Sequence, residues 1–467
     1  MKGLEISEVR LKDIGLKTSD FRIDAEYFTG KFAQYCRLME KCGFTCFARE
    51  AQRVVKGAFD ITADKFRESG IPFVRISNLR NMEIDTSSIV YIDADVHAEY
   101  LASKLRRGDI VLSKTAYAAA SIVTLPVCNT SQDTIAISLN SNSRIDPYFT
   151  VVYLNTKYGL FLMEYLFTGN IQKHFNLTEC KTKLPIPIFS AKFQGEVRKL
   201  FEQALVARCG ADKIYHGTEQ SLLTELGFDG WMPTEESVSV KNCSDFMSAG
   251  RFDAEYFQPK YDELFALLAK CKVRVLGGKD GLVDIKRSIE PGSDAYSDKG
   301  IPFVRIADFT EMGVASPEIH IPPELCSDSP RPKKDTILLS KDGSVGIAYK
   351  VEEDLDVVTS SGILYLTVKD NAVLPDYLTL VLNSKIVRLQ AERSAGGSII
   401  QHWKQSEIEN VSIPILPMSS QQKITAKVRE SFALRAESKR LLDLAKHAVE
   451  VAIERGEEKA MEVLGEY

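Results

Sequence analysis

The sequence predicts an α+β protein with an internal pseudo-two-fold repeat, in which two mixed, strand-rich domains are separated by a pair of long antiparallel coiled-coil helices. Three observations carry this prediction. The second half of the chain repeats the first, short runs of β-favouring residues open each half, and a helical apolar period closes each half. The 467 residues are about three times the size of a common domain, so we expect two or three cores.

The repeat has a period near 229 residues. RIDAEYF at 22–28 returns as RFDAEYF at 251–257, and GIPFVRI at 70–76 returns unchanged at 300–306. Further matched pairs are 110–114 with 337–341, 148–156 with 377–384, 169–175 with 397–403, and Ile186-Pro187 with Ile413-Pro414. A period this long indicates duplication of a whole domain, because solenoid repeats are far shorter.

Each repeat divides into two parts. Residues 45–190 and 272–418 hold short runs of Val, Ile, Thr, Phe and Tyr between Gly, Pro, Asn and Ser, which is typical of strands. From Ala191, and again over 421–454, apolar residues recur every three or four positions, which predicts helices of roughly 30 residues. Pairing of the two helices covers both apolar stripes; the alternative is that each folds back on its own domain.

These patterns set the expected boundaries. The first strand-rich domain, with an N-terminal segment, occupies residues 1–190 and is followed by a central helix over 191–228. The second strand-rich domain occupies 229–418, and a C-terminal helix follows over 419–467.

Composition excludes several classes of protein. With 44% apolar and 26% charged residues, the chain is neither disordered nor collagen-like. No apolar run reaches the roughly 18 to 20 residues of a membrane span, and the start lacks the apolar stretch of a secretory signal, so we expect a cytoplasmic protein with no membrane partner. Nine scattered cysteines without a CxxC pair favour reduced thiols.

Signatures of catalysis are weak. The sequence contains neither GxxxxGK[ST] nor GxGxxG opening a helix. Asp146-Pro147-Tyr148-Phe149 differs from the loop of amine methyltransferases by a missing proline, and helix-start chemistry explains it. Glu179-Cys180-Lys181 has no counterpart in the second repeat, and His174 and His402, although equivalent, have no partner cluster. We therefore expect no enzyme, no metal and no cofactor in this chain.

Binding of nucleic acid fits the pattern better. Arg75 and Arg305 follow one apolar strand, and Lys114 and Lys341 follow another, so a cation lies where each strand leaves its sheet. The loops that follow are rich in hydroxyls, amides and glycine, the groups that read base edges and phosphates. The alternatives are an internal ion pair for each arginine and a solvated surface for each lysine. The net charge of −5 means that DNA contacts must come from local basic patches or a basic partner.

As a set, these segments resemble the specificity subunit of type I restriction-modification systems. The matching elements are RFDAEYFQPKY at 251–261 with its weaker copy at 22–32, the two GIPFVRI strings, the two Ser-Lys strands, LGFDGW at 226–231, and SSQQKI at 419–424. The resemblance covers nearly the whole chain. An alternative of the same class is a similar DNA-reading subunit in another modification or defence assembly.

The resemblance implies a non-catalytic reader of double-stranded DNA. It implies two target recognition domains that each bind one half of a split target, with a helix pair that fixes the spacer. It also implies that two methylation subunits, which carry S-adenosylmethionine, dock on the chain, and that restriction subunits, which use ATP and Mg, complete the assembly.

Identical residues cannot encode a difference between two half-sites. Arg75, Lys114, Arg305 and Lys341 should therefore grip phosphate or hold the fold. Base reading should fall to the divergent neighbours, which are Ser77, Asn78, Arg80, Thr115 and Tyr117 in the first domain and Asp308, Thr310, Asp342 and Ser344 in the second. One departure concerns the loop itself: Ala116 and Ala119 stand near where the second repeat has Gly343 and Gly346, which predicts a different backbone path.

Overall fold

The computed structural model describes residues 30–465 except 81, 170–172, 237, 316, 328 and 397–400. The first copy of the RIDAEYF motif, at 22–28, lies outside the described residues, as do parts of the matched segments 169–175 and 397–403. The chain forms two compact units. Unit 1 comprises Met1–Ala207 and Ala436–Tyr467, and unit 2 comprises Arg208–Arg435.

Unit 1 contains 14 short strands among its described residues. They are Phe44–Thr45 (β1), Ala51–Lys56 (β2), Ile71–Val74 (β3), Leu79–Arg80 (β4), Glu83–Ile84 (β5), Val90–Ile92 (β6), Leu105–Arg106 (β7), Ile110–Ser113 (β8), Ala120–Ile122 (β9), Val127–Thr130 (β10), Thr134–Leu139 (β11), Phe167–Thr168 (β12), His174–Phe175 (β13) and Ile186–Pro187 (β14).

The described part of unit 2 contains 11 strands. They are Val273–Val275 (β15), Val283–Arg287 (β16), Ile301–Val304 (β17), Phe309–Thr310 (β18), Gly313–Val314 (β19), His320–Ile321 (β20), Ile337–Ser340 (β21), Ala348–Lys350 (β22), Val358–Thr359 (β23), Ile363–Val368 (β24) and Ser412–Pro414 (β25).

Helices separate and flank these strands. The α-helices are Gly30–Cys42 (α1), Phe47–Glu50 (α2), Ala94–Glu99 (α3), Pro147–Leu154 (α4), Lys157–Tyr165 (α5), Leu177–Thr182 (α6), Ala191–Glu225 (α7), Cys243–Ala249 (α8), Pro259–Leu268 (α9), Pro375–Asn383 (α10), Lys385–Ser394 (α11), Gln405–Glu409 (α12), Met418–Arg455 (α13) and Glu457–Gly465 (α14). Short 3₁₀ turns occur at Ala63–Lys65, Ile76–Asn78, Leu101–Ser103, Ala254–Phe257, Ser293–Ala295, Ile306–Asp308 and Pro323–Leu325. None of these helices is long and apolar enough to span a membrane.

The duplication seen in the sequence is also a duplication of strand pairing. In unit 1 the main sheet has the order β2-β11-β8-β9-β5-β4, and in unit 2 the corresponding sheet has the order β16-β24-β21-β22. A second sheet contains the parallel pair β3–β10 in one unit and β17–β23 in the other. All four residues of β8 and of β21 are buried, as expected for apolar runs in the interior of a sheet. The predicted α+β fold with an internal repeat is confirmed.

The chain enters and leaves each strand-rich domain through one antiparallel pair. In unit 1, Phe44 is opposite Pro187 and Thr45 is opposite Ile186. In unit 2, Val273 is opposite Pro414 and Arg274 is opposite Ile413. The Ile-Pro pairs found in the sequence are the outgoing strands, and they lie in the same register in both units.

The two long helices, α7 with 35 residues and α13 with 38, contact each other within both units. Ser438 Oγ donates to the carbonyl of Ala204 at 2.8 Å in unit 1, and Ser431 Oγ donates to the carbonyl of Ala211 at 2.7 Å in unit 2. The partners follow opposite orders along the two helices, which are therefore antiparallel, as predicted. The C-terminal helix does not run unbroken to the chain end, because it stops at Arg455 and Gly456 adopts a φ of +94° before α14 begins.

Each long helix is also fixed to its own domain by a buried glutamine in its first turn. In unit 1, Gln194 Oε1 accepts the backbone N–H of Asp146 at 2.7 Å, and its Nε2 donates to the carbonyls of Arg144 and Phe189 at 3.0 and 2.8 Å. The amide is fully used, since one acceptor and both donor hydrogens have partners. It therefore fixes the start of α7 against the start of α4.

Unit 2 repeats this glutamine contact. Gln421 Oε1 accepts the backbone N–H of Leu374 at 3.0 Å, and its Nε2 donates to the carbonyls of Ala372 and Leu416 at 2.8 and 2.9 Å. Gln421 belongs to the SSQQKI segment of the sequence. The same three kinds of backbone group are bound in both units, so each long helix starts from its domain in the same way.

An ion pair inside unit 2 adds a second attachment. Asp376 has an exposed side-chain fraction of 1%; one of its carboxylate oxygens lies 2.8 Å from Lys350 Nζ and the other 2.9 Å from Arg429 Nη2 of α13. Burial by itself lowers the pKa of Lys350, but the nearby carboxylates of Asp376 and Glu352 outweigh this effect and raise it. The strand β22, the helix α10 and the long helix α13 are therefore joined through one buried carboxylate.

We predict that Asp376→Asn destabilises unit 2, because it leaves the Lys350 ammonium buried without its closest counter-charge. Loss of one partner of a buried pair costs on the order of 3 kcal/mol of unfolding free energy. Urea unfolding of the full chain, followed by circular dichroism, should show a lower midpoint. Asp354→Asn is the matched control, since its pair with Lys333 is exposed. Equal midpoints for the two variants would contradict the assignment.

Candidate nucleic-acid interface

The two repeated arginines both begin a 3₁₀ turn at the end of a strand. The backbone N–H of Arg75 donates to Asn78 Oδ1 at 2.9 Å, and its Nη2 donates to the carbonyl of Ser88 at 2.7 Å. In unit 2 the backbone N–H of Arg305 donates to Asp308 Oδ2 at 3.0 Å. Both arginines thus have internal contacts, which favours a role in holding the fold for at least part of each side chain.

Asn78 and Asp308 occupy the same position in these two turns. Asn78 is fully buried, and its Nδ2 also donates to the carbonyl of Asp85 at 3.0 Å. Asp308 instead forms an ion pair with Arg305 at 3.1 Å, and this hydrogen-bonded partner raises the pKa of the guanidinium. The difference between the repeats at this position is therefore a difference in how the turn is capped, and both side chains are used internally.

The two Ser-Lys strands end in loops of the same construction. Ser113 Oγ accepts the backbone N–H of Ala119 at 2.8 Å and donates to the carbonyl of Tyr117. Ser340 Oγ accepts the backbone N–H of Ile347 at 2.9 Å and donates to the carbonyl of Ser344. Each serine therefore closes the loop that carries the candidate reading residues.

The loop paths agree at one of the two positions where the sequence predicts a difference. Ala116 and Gly343, at equivalent positions, have φ values of +63° and +65°, so the alanine adopts the left-handed conformation that glycine favours. The expectation of a different path at this residue is wrong. The loops differ further on, where the second is one residue longer and includes Gly346 at a φ of +84°.

The lysines that follow the serines have the same backbone partners but different side-chain partners. The carbonyl of Lys114 accepts from Phe175 N, and that of Lys341 accepts from Trp403 N, both at 2.8 Å. Lys341 Nζ lies 2.6 Å from Asp342 Oδ2. No ion pair joins Lys114 to any of the described residues. The first lysine is therefore better placed than the second to meet a phosphate.

Most of the divergent residues lie on the surface. Ser77, Arg80, Tyr117, Thr310 and Ser344 are exposed, while Thr115 and Asp342 are half-buried. Tyr117 Oη donates to the carbonyl of Ile76 at 2.8 Å, so the Ser-Lys loop touches the turn that contains Ser77. Unit 1 thus brings Ser77 and Tyr117 into one surface region.

A second segment lies beside each Ser-Lys loop. Thr115 pairs with His174 in unit 1, and Asp342 pairs with His402 in unit 2. Both histidines are exposed. The sequence marks them as equivalent, but without the fold they have no visible partner, because the residues opposite them are about 60 positions away.

In unit 2 the loop and this segment line an open cleft of about 470 Å³. Its lining residues are Arg287, Lys341, Asp342, His402, Trp403, Lys404, Gln405, Ser406 and Glu409. Three of them are permanent cations, of which Lys341 is paired to Asp342. Beside these cations the cleft has one amide, one hydroxyl and two carboxylates. Cations, amides and hydroxyls are side-chain types that contact phosphates and base edges.

Asp146 and Glu179, which belong to the two weak catalytic patterns of the sequence, have structural roles. Asp146 caps α4, since its Oδ1 accepts the backbone N–H groups of Tyr148 and Phe149 at 2.8 and 3.0 Å, as predicted from helix-start chemistry. Glu179 lies in α6 and pairs with Lys183 at 3.0 Å. Among the described residues no group of three or more His, Cys, Asp or Glu side chains is placed to hold a metal ion.

Comparison with known protein families finds a match in the second half of the chain. Residues 280–438 match the family described as "Type I restriction modification DNA specificity domain". This segment of the chain is therefore similar to the DNA specificity domain of type I restriction modification systems. The matched segment includes the strands β16–β25, the Lys341 loop, the cleft and the first half of α13. The strand pairing and the loop of unit 1 repeat it.

Solved structures give weaker comparisons. The type I restriction-modification S subunit from M. genitalium is 12% identical, with 90% of this chain and 95% of that chain covered and a TM-score of 0.34. The HsdS subunit from Thermoanaerobacter tengcongensis is 15% identical, with 89% and 97% covered and a TM-score of 0.28. A chain from a study of type I R-M complex assembly is also 15% identical, with 89% and 98% covered and a TM-score of 0.29. No curated protein matches. The assignment of the specificity domain rests on the family match and not on these low scores.

We predict that Ala116→Gly stabilises unit 1, because a non-glycine residue in the left-handed region costs roughly 1 kcal/mol. Gly343→Ala is the reciprocal variant and should lower stability by a similar amount, since its new Cβ meets no atom within 4 Å and only the backbone conformation is strained. Thermal unfolding of both variants checks the pair. A stabilising effect of Gly343→Ala would contradict the shared loop geometry.

Proposed function

We propose that this chain is the non-catalytic DNA-specificity subunit of a type I restriction-modification complex. In this proposal each strand-rich domain reads one half of a bipartite target in double-stranded DNA. The observation that carries it is the specificity-domain match over 280–438, together with the repetition of that domain's sheets and Ser-Lys loop in unit 1.

The contrast between shared and divergent residues supports separate roles, with the shared residues holding the fold or contacting phosphate and the divergent residues reading bases. The shared arginines Arg75 and Arg305 have internal hydrogen bonds. Exposed residues that differ, such as Tyr117 and Ser344, lie on the loops that the serines close. Phosphate contacts position a protein on DNA, and base contacts specify the sequence. Shared cations with variable neighbours fit this arrangement.

The long helices fit a role as spacer and scaffold. At 1.5 Å per residue, each extends for about 50 Å. In the proposed complex they set the distance between the half-sites and dock two methylation subunits, which bind S-adenosylmethionine. Restriction subunits, with ATP and Mg, complete the assembly. Since this chain carries a net charge of −5, those partners would supply part of the positive charge that DNA requires.

Methylome sequencing tests the proposal directly. A host that expresses this chain with its methylation partner should show one methylated motif with two specified parts and an unspecified spacer of fixed length. The same host without this chain should lack the motif. A continuous motif, or one that persists without the chain, would contradict the proposal.

The proposed phosphate contact of Lys114 can be tested by substitution. In the assembled complex, Lys114→Ala should weaken binding to all DNA sequences and lower the slope of log affinity against log salt by about one. Lys341→Ala is the matched variant, and its effect on the slope should be smaller because Asp342 already neutralises that ammonium. Fluorescence anisotropy at several salt concentrations measures both slopes. Equal slopes for wild type and Lys114→Ala would exclude the phosphate contact.

Base reading by Tyr117 gives a third prediction. Tyr117→Ala should alter base preference in one half-site and leave the other half-site unchanged, because the side chain is exposed on unit 1. Methylation of a panel of substrates with single base changes measures this. A uniform loss on every substrate would instead indicate that Tyr117 only supports the loop.

A further inference from the structure

We propose that His402 contacts a base in the half-site of the second domain, and that Asp342 is the residue that positions it. The inference rests on the function proposed above. It changes the expectation for Asp342, from a residue that reads DNA to one that acts through its neighbour.

Each oxygen of the Asp342 carboxylate already has a partner inside the protein. Its Oδ2 lies 2.6 Å from Lys341 Nζ and its Oδ1 lies 2.8 Å from His402 Nδ1. Its side chain has an exposed fraction of 19%, whereas that of His402 has 64%. A base amine would have to compete with two existing partners to reach Asp342, but the far side of the imidazole is open to solvent.

The orientation of the imidazole ring follows from its pairing with Asp342. An ionised carboxylate only accepts hydrogen bonds, so His402 Nδ1 must carry the hydrogen in this pair. The ring is then held in one orientation and presents Nε2 outward. A neighbouring carboxylate that fixes the direction of a polar atom favours selective recognition, because less conformational freedom of the side chain is lost on binding.

The backbone under His402 is held on both sides. Its N–H donates to the carbonyl of Gly396 at 2.7 Å, and the next residue, Trp403, donates its N–H to Lys341 at 2.8 Å. Gly343 N donates to the carbonyl of Gln401 at 2.9 Å. The side chain of Trp403 is 1% exposed, so it anchors the segment in the core. The backbone at His402 is therefore fixed by hydrogen bonds to its neighbours.

Cations and an amide lie in the same cleft as the histidine. Arg287 and Lys404 line the same cleft, together with the amide of Gln405. Arg287 Nε donates to Gln405 Oε1 at 2.6 Å, which holds both side chains at the rim. Cations beside a fixed polar ring suit a DNA segment whose phosphates meet the cations while a base edge meets the ring.

Unit 1 has the same backbone bridge, with a different residue opposite the histidine. His174 occupies the equivalent position, opposite Thr115 in place of Asp342. A threonine hydroxyl can donate as well as accept, so it does not impose the tautomer that a carboxylate imposes. Two domains that share the histidine but differ in its partner would read different bases at equivalent places in the two half-sites.

The test uses the purified methylation complex with His402→Ala, Asp342→Asn and the double variant. Substrates carry each of the four bases at every position of both half-sites, and initial methylation rates are compared. His402→Ala should reduce discrimination at one position of the second half-site by about tenfold or more, the scale of one good base contact. Asp342→Asn should reduce it at the same position, and the double variant should lose no more than His402→Ala alone.

Two controls accompany these variants. Lys333→Ala removes a cation of unit 2 that does not line the cleft, and it should leave discrimination unchanged. His174→Ala should leave the second half-site unchanged. Thermal unfolding checks that the variants fold, and His402→Asn provides a second, polar replacement if His402→Ala does not.

Each outcome bears on a separate claim. Unchanged discrimination in His402→Ala and His402→Asn, or an equal loss of rate on every substrate, would overturn base contact by His402. A further loss when Asp342→Asn is added to His402→Ala would overturn the positioning role and return Asp342 to direct reading. Failure of the wild-type complex to methylate any bipartite target would instead overturn the proposed function itself.

Discussion

A single buried glutamine in each unit fixes the direction in which a long helix leaves its domain. Gln194 and Gln421 each satisfy three backbone groups with one amide. Displacement of the helix would cost free energy, because it would leave these buried polar groups without hydrogen-bond partners. If the helices set a spacer on DNA, the glutamine contact fixes the position of each reading loop relative to the helix that starts from its domain. The buried Asp376 adds a further attachment in unit 2.

The sequence predicts the architecture well because a duplication imposes the same strand order twice. The outgoing Ile-Pro strands, the Ser-Lys strands and the two long helices are all visible as repeated patterns, and each appears in the structure. The break at Gly456 is less visible, since one glycine after a long helical pattern does not by itself show that another helix follows.

The candidate site is predicted less completely, for physical reasons. Asn78 and Asp308 differ between the repeats, and difference suggests reading; yet Asn and Asp are also the residues that cap turns, and both do so here. Ala116 in a left-handed conformation is not visible in the sequence because alanine rarely adopts it. The partners of His174 and His402 lie in the Ser-Lys loops, far away in sequence, so only the tertiary pairing brings them together.

In the proposed function, the two strand-rich domains read DNA independently of each other. Their incoming and outgoing strands pair in the same register, which makes residues 44–187 replaceable by residues 273–414 at matched strand positions. Methylome sequencing of a host that expresses this chimaera with the methylation partner is the most direct test. The account predicts a symmetric bipartite motif in which both halves are the second half-site in opposite orientations. A motif that keeps the original first half would contradict it, because the sequence choice would then lie outside the exchanged domain.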